Sequence, residues 1–254
     1  MVYKARYKEI IDILNTENKV FVSDLSPRLG VSEVTIRKDL SVLEKLGMLR
    51  RFHSGAVCIE DSIIDLPVKQ KLTENIELKI DIAEKVLNII ENKTSIIIDS
   101  GSTTNQIANL LKTRNDLNIK IVTNSMTVGQ ELAEAKGIDL VLTGGNIRVE
   151  SQAMVGPIVL KNLSKLHVDT AFIGAMGVSV EKGFASSNIM EAEVKQAILK
   201  VANKKIVVAD HTKLDKFSFA PFASLDEIDI LITDSQAPVE KVERLRSAGL
   251  EVIY

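Results

Sequence analysis

The chain has 254 residues, 45% of them apolar, and its 32 Lys and Arg against 34 Asp and Glu leave a formal net charge of -2. That length suits one large domain or two unequal ones, and the charge favours two, because residues 1–57 carry about +3 and the remainder about -5. Cys58 is the only cysteine, which excludes an intrachain disulfide and a cysteine zinc site; His53, His167 and His211 lack metal-ligand spacing; and the apolar runs are far too short to cross a bilayer, so a cytoplasmic protein with no metal is expected.

The first residues, Met1 to Arg6, run straight into a charged amphipathic helix. Residues 20–39 then read as two short helices in close succession. Ser23 is expected to cap the first, which carries Leu25 and Leu29; Gly30 ends it, and Ser32 caps the second two residues later. Helices joined that tightly cross steeply. Ile36, Leu40, Leu43 and Leu46 recur at helical spacing and face inward, which leaves Glu33, Thr35, Arg37 and Lys38 on the opposite face of the first two turns. Gly47 stops the helix. Leu49 to His53, Ser54-Gly55 and Ala56 to Ile59 read as a hairpin with cations on one arm and Cys58 as a half-buried small hydrophobe.

A capped turn, an amphipathic second helix and a basic hairpin in that order make a winged helix-turn-helix over residues 3–58, and its natural partner is double-stranded DNA. Ser32, Glu33, Thr35, Arg37 and Lys38 are placed to meet base edges or flanking phosphates, and Arg50, Arg51 and His53 to hold the backbone. A packed helical hairpin with a solvated basic face would be the plainer reading of the helix pair alone; the wing argues against it. Val31-Ser32, Thr35 to Leu40, Leu43, Gly47, Leu49, Arg51 and His53 to Ala56 together resemble the DNA-binding signature of the DeoR family of bacterial transcription regulators, which usually has Gly where Ser54 stands.

Residues 59–74, with Pro67, have the weakest pattern and are expected to connect two domains, although Ile63, Ile64 and Leu66 suggest that the segment packs. From Asn75 to Tyr254 short β-branched runs alternate with amphipathic helices, the mark of a mostly parallel, Rossmann-like α/β sheet. Strands are expected at 95–98, 120–123, 140–143, 168–173, 205–209, 228–233 and 251–254. Helices are expected at 106–111, 126–135, 158–166, 189–201 and 239–248.

The strands are followed by Asp99-Ser100-Gly101-Ser102-Thr103-Thr104, Asn124-Ser125, Gly144-Gly145, Gly174 to Gly177, and Asp210 to Lys213. In an open parallel sheet these ends converge on the crevice where ligands bind. The Ser100 to Thr104 loop opens a helix, so its amides and the helix dipole suit a phosphate or other compact anion, with Asp99 and Lys213 as contacts to hydroxyls and charge. Ordinary turn and cap chemistry would explain any one loop; five on one edge point to a site. Glu191 and Lys195 share a stripe with Val194 and Ile198, and two readings stand: both charges face the sheet edge, or they form an exposed pair four residues apart.

The resemblance to the DeoR family continues here, through Asp99 to Thr104, Thr123 to Ser125, Gly144-Gly145, Asp169 with Ala171 to Gly174, Gly183-Phe184, Glu191 with Lys195, and Thr212-Lys213. It implies a sensor similar in fold to ribose-5-phosphate isomerase, effectors that are phosphorylated sugars or related small metabolites, and a phosphate held by Ser100 to Thr104. A sugar-phosphate isomerase with a helical appendage is the alternative. Those enzymes read Asp-Gly-Ala-Asp where this chain has Asp169-Thr170-Ala171-Phe172, and Phe172 cannot move a proton; their Lys-Gly-Gly-Gly segment is replaced near Val180 to Phe184; Glu191 is left as a lone base. A second domain that only oligomerises is a third reading. The expectation is a regulator, not an enzyme, with no catalytic residues and no cofactor: a repressor of a sugar uptake or catabolism operon, acting as a homodimer or homotetramer, with no membrane partner.

Overall fold

A computed structural model of the chain describes residues 2–17, 19–45, 48–57 and 68–254. Leu46, Gly47, Cys58, Ile59, Ile63, Ile64, Leu66 and Pro67 lie outside the described residues, and with them the expected helix stop, the packing of Cys58 and most of the expected connection. Two compact units divide the chain, one within residues 1–64 and one within 65–254.

In the first unit, helix α1 (Val2–Glu17) leads to strand β1 (Lys19–Phe21), helices α2 (Val22–Leu29) and α3 (Glu33–Lys45), and strands β2 (Arg50–Phe52) and β3 (Gly55–Val57). The strands pair antiparallel in the order β1-β3-β2, so the hairpin gains a third strand that sequence periodicity does not announce. That strand corrects the expected cap. α2 begins at Val22, one residue before Ser23, and the Ser23 hydroxyl donates to Asp24 Oδ1 at 3.0 Å. The Val22 amide, left open at the helix start, is taken by the Ser54 carbonyl at 2.9 Å. Gly30 closes α2 in the left-handed region at φ 64°, and Ser32 caps α3, its Oγ accepting from Thr35 N at 3.4 Å.

Ile10 and Leu14 of α1 pack with Val20, Val22, Leu25, Ile36, Leu40, Leu43, Leu49 and Ala56 in one core. An ion pair clamps α1 to α3: Arg6 Nε lies 2.5 Å from Asp39 Oδ2 and Arg6 Nη2 3.1 Å from Oδ1, with the carboxylate buried. At Gly55 the wing meets β1 so closely that a Cβ would stand 2.0 Å from the Val20 carbonyl oxygen, which reserves the position for glycine.

The second unit opens with α4 (Val68–Lys71), α5 (Ile76–Leu87), β4 (Ser95–Ile98), α6 (Ser102–Leu111), β5 (Ile119–Thr123), α7 (Met126–Leu132) and β6 (Ile138–Leu142). It continues through β7 (Asn146–Arg148), β8 (Ala153–Val155), α8 (Pro157–Leu163), β9 (Val168–Gly174), β10 (Gly177–Ser179), β11 (Gly183–Ser186) and α9 (Ile189–Val201). It ends with β12 (Ala202–Val208), β13 (Ala220–Ala223), β14 (Ile230–Ile232), α10 (Val239–Ser247) and β15 (Glu251–Ile253).

Seven strands form one parallel sheet in the order β15-β14-β12-β9-β4-β5-β6, as an α/β fold requires. Their side chains alternate between two cores. Ile96, Ile98, Phe172, Ile206, Val208, Ile230 and Ile232 pack with α5, α6 and α7. Ile97, Ala171, Ile173, Val207 and Leu231 pack with α8, α9 and α10. Burial on both faces is why these strands read as continuous apolar runs. Two small antiparallel sheets, β10-β11-β13 and β7-β8, come in addition to the expected elements.

The strand order fixes where a ligand can sit. From β4 the chain runs outward through β5 and β6, then returns to the other side of β4 with β9 and runs outward through β12, β14 and β15. The order therefore reverses between β4 and β9, and the crevice beyond their carboxyl ends is the topological switch point.

Candidate functional site

The first unit presents α3 and the turn of the wing. Glu33, Arg37 and Lys38 are exposed on the face of α3 opposite its core contacts, and Ser32 and Thr35 share a hydroxyl contact of 3.0 Å. Arg37 is pre-positioned: Nη1 donates to the His53 carbonyl at 3.3 Å and Nη2 to Glu33 Oε2 at 3.3 Å, so one guanidinium joins the helix to the hairpin turn. His53 is exposed at that turn. Arg51 behaves differently from its neighbours. Its guanidinium donates to the Ser41 hydroxyl, and its backbone N to Glu44 Oε1 at 2.9 Å, so it braces the wing against α3. The Arg50 side chain lies outside the described residues.

At the switch point of the second unit, Asp99 is fully buried and its Oδ2 accepts from the Lys195 ammonium and from Gly174 N at 3.2 Å. Lys195 also donates to the Gly174 carbonyl at 2.9 Å. One ion pair thus ties the end of β4 to the end of β9 through α9. Burial pushes the Asp99 carboxyl up from its ordinary range, and the Lys195 charge and hydrogen bond oppose it. Glu191, one turn earlier on α9, is buried as well: Oε1 takes Arg148 Nη1 at 2.9 Å and Oε2 the Ser186 hydroxyl at 3.4 Å. The exposed pair four residues apart is therefore excluded. Both charges turn inward, and each finds a different partner.

Beside this pair the amino end of α6 stands open. The first helical bond runs from Asn105 N to the Gly101 carbonyl at 3.0 Å, which leaves the amides of Ser102, Thr103 and Thr104 without an intrahelical acceptor. Ser100 is fixed by Asn124, whose Oδ1 accepts from Ser100 N at 3.2 Å, and Thr104 turns its hydroxyl back to the Gly101 carbonyl at 3.0 Å. Asn105 is buried with its Oδ1 unpartnered. Lys213, half-buried in the 3-10 turn after β12, has no ion-pair partner among the described residues.

Other loop residues carry structure. Ser125 caps α7 by accepting from Val128 N at 3.2 Å. A Cβ on Gly145 would fall 2.6 Å from Val159 Cγ2, and one on Gly177 would fall 2.7 Å from the Lys216 carbonyl oxygen. Gly144 sits in the left-handed region at φ 69°. Asp169 lies at the amino end of β9, away from the crevice, where Ser95 N and Oγ donate to its Oδ2 at 2.8 and 2.7 Å and hold its carboxyl below the ordinary range. Among the described residues no cluster of His, Cys, Asp and Glu could hold a metal, and no helix is long and apolar enough to cross a membrane.

A model of the DeoR-like helix-turn-helix domain matches residues 6–62, and a model of the DeoR C terminal sensor domain matches residues 74–235. The chain belongs to the DeoR family. Curated DeoR-type relatives match along nearly their whole length. A putative aga operon transcriptional repressor of Escherichia coli O157:H7 is 35% identical over 98% of this chain and 92% of its own. The lactose phosphotransferase system repressor of Lactococcus lactis subsp. lactis is 33% identical over 94% of each. Among solved structures, ribose 5-phosphate isomerase A from Methanocaldococcus jannaschii aligns over 55% of each chain at 19% identity, with a TM-score of 0.42.

Membership makes this DeoR protein a DNA-binding transcription regulator, and the isomerase alternative falls. The geometry agrees. Phe172 packs into the sheet with Ile96 and Ile98, and the carboxylate of Glu191 is committed to Arg148. Sequence reasoning did not single out Arg6, Asp39, Lys79 or Arg148. Arg6 meets Asp39 across 33 residues and Arg148 reaches Glu191 across 43, while Lys79 holds backbone carbonyls, so no spacing of charges signals these contacts.

Proposed function

We propose that the protein represses a sugar uptake or catabolism operon and is controlled by a phosphorylated sugar or related metabolite. Residues 3–58 form the reader and residues 59–74 the connection. Residues 75–254 sense the effector and assemble a cytoplasmic homodimer or homotetramer, since helix-turn-helix readers generally work on paired half-sites. In the reader, Arg37, Lys38, Thr35, Ser32 and Glu33 meet the major groove, His53 and Arg50 lie against phosphates, and Arg51 orients the wing that carries them.

The observation that carries the sensor reading is the open amino end of α6 at the switch point, with Lys213, a cation that has no ion-pair partner among the described residues, in the turn after β12 of the same sheet. Three free amides, the helix dipole and hydroxyls at Ser100, Ser102 and Thr103 suit a phosphate. Asp99, Gly101, Thr104, Asn124, Ser125, Gly144, Gly145, Gly174, Gly177, Glu191 and Lys195 shape the surroundings, the Asp99–Lys195 pair by holding β4 and β9 in register. The relatives support the sugar context by their names, one a repressor of a lactose phosphotransferase system. A thermal-shift screen of sugar phosphates against their parent sugars tests the reading. A phosphate ester at 100 times its Kd adds about 2.7 kcal/mol of stability while its parent sugar adds none. Equal response to both, or to neither, removes the phosphate role of α6.

A further inference from the structure

Lys79 on α5 is buried and takes no part in the anion-binding end of α6. Its ammonium donates to the backbone carbonyls of Lys71 and Glu74. Burial pulls its pKa down, and among the charges it senses are Asp210, which opposes the shift, and Lys213, which adds to it. Lys79 therefore holds the segment that begins at Val68 while its charge senses those of the loop after β12.

That segment is fastened to the strand-end loops at further points. Val68 N donates to the Glu150 carbonyl at 2.6 Å, next to the Arg148 that pairs with Glu191. Lys71 Nζ stands 4.0 Å from Met176 Sδ, in the loop after β9. Residues 68–74 thus sit against the loops that bound the crevice, near the amino-terminal start of the second unit.

We propose that residues 68–74 are the lever through which occupancy of the crevice reaches the connection to the DNA reader, and that Lys79 is the positioning residue that pins the lever. The inference rests on the reading of the crevice as an anionic effector site. An ammonium has three donors, and two of them hold the carbonyls of Lys71 and Glu74. An anion arriving at Lys213 changes the charge that Lys79 faces, and with it the strength with which the ammonium holds those carbonyls. The grip on the segment then differs between the empty and occupied crevice, which is the differential contact a ligand needs to shift an equilibrium.

The test uses the full chain and a promoter fragment from its own locus. Glucose 6-phosphate, fructose 1-phosphate and ribose 5-phosphate serve as probes, with inorganic phosphate alongside. Lys79→Met should bind the active probe, and bind DNA without it, within about threefold of the unaltered protein, while the ratio of operator affinities with and without the probe collapses toward one. Lys79→Arg, which keeps the donors, should restore the ratio. The chain has no tryptophan, so Gln70→Trp places a single reporter at an exposed position of the lever and decides the matter even if Lys79→Met folds poorly. Its emission should move when the probe binds. Lys79→Met that keeps the full ratio, or Gln70→Trp emission unmoved by a probe that alters operator affinity, overturns the lever alone. Failure of every probe to bind or to alter operator affinity defeats the effector reading itself, and the lever falls with it.

Discussion

Lys195→Met removes the ammonium at the switch point while keeping an unbranched apolar chain in its place. The Asp99 carboxylate, fully buried, then keeps Gly174 N at 3.2 Å as its bond across to β9. Deleting one partner of a buried ion pair costs about 3–5 kcal/mol, because the other charge stays in a poorly solvating site. In a unit of this size that is a fall of about 6–20 °C in Tm. The cost depends on pH, and its sign follows from Asp99. Burial already pushes that carboxyl up, and without Lys195 its largest opposing influence is gone, so the folded variant holds a proton that the unfolded chain releases. A group with a raised folded pKa contributes stability that is complete below its unfolded pKa and is lost as pH rises through the folded value. The gap between Lys195→Met and the unaltered protein should therefore be smaller at about pH 5 than at about pH 8 in urea unfolding followed by circular dichroism. Asp99→Asn/Lys195→Met, which removes both charges of the pair, should cost less than the two single changes added. A variant within about 1 kcal/mol of the unaltered protein at both pH values, or a gap that does not widen, would falsify the picture of a buried pair holding β4 to β9.

Arg37→Ala should cost about 1–3 kcal/mol on the specific operator and relax sequence preference, measured by competition with random duplex; equal loss on both would deny it a base contact. Arg51→Ala should weaken binding to all sequences alike and also lower the melting temperature of the first unit, because its guanidinium holds Ser41; unchanged stability would return it to a plain phosphate contact. Asp169→Asn should reduce stability at neutral pH and cost progressively less as pH falls below about 4, since the bonds from Ser95 depress its carboxyl and that contribution is lost as pH falls through the folded pKa. Effector binding should be untouched in Asp169→Asn, and a shifted affinity would contradict its place at the far end of the sheet.

The parallel sheet was legible because its strands are buried on both faces and so write continuous runs such as Ile96-Ile97-Ile98 into the sequence. Helix α9 was legible to the residue, from Ile189 to Val201, because its apolar stripe repeats at helical spacing. α5 was not: Ile76, Leu78, Ile80 and Ile82 alternate with Glu77, Lys79 and Asp81, a strand-like period that helical packing of Ile82, Ala83 and Val86 overrides. β1 is only Lys19 to Phe21, too short to carry a period, and it exists because the wing offers it an edge. In the crevice, residue types were legible and pairings were not. Glu191 and Lys195 announce a shared stripe, but only the fold brings Arg148 to one and Asp99 to the other, across 43 and 96 residues of chain.

The division between a DNA reader and an anion sensor is tested most directly by fluorescence anisotropy on a labelled promoter fragment from the protein's own locus, titrated with and without the sugar phosphate that most stabilises the protein. A coupling free energy of about 1–3 kcal/mol predicts a change in operator affinity of roughly 5- to 150-fold. An affinity that stays constant while the phosphosugar demonstrably binds would contradict the account.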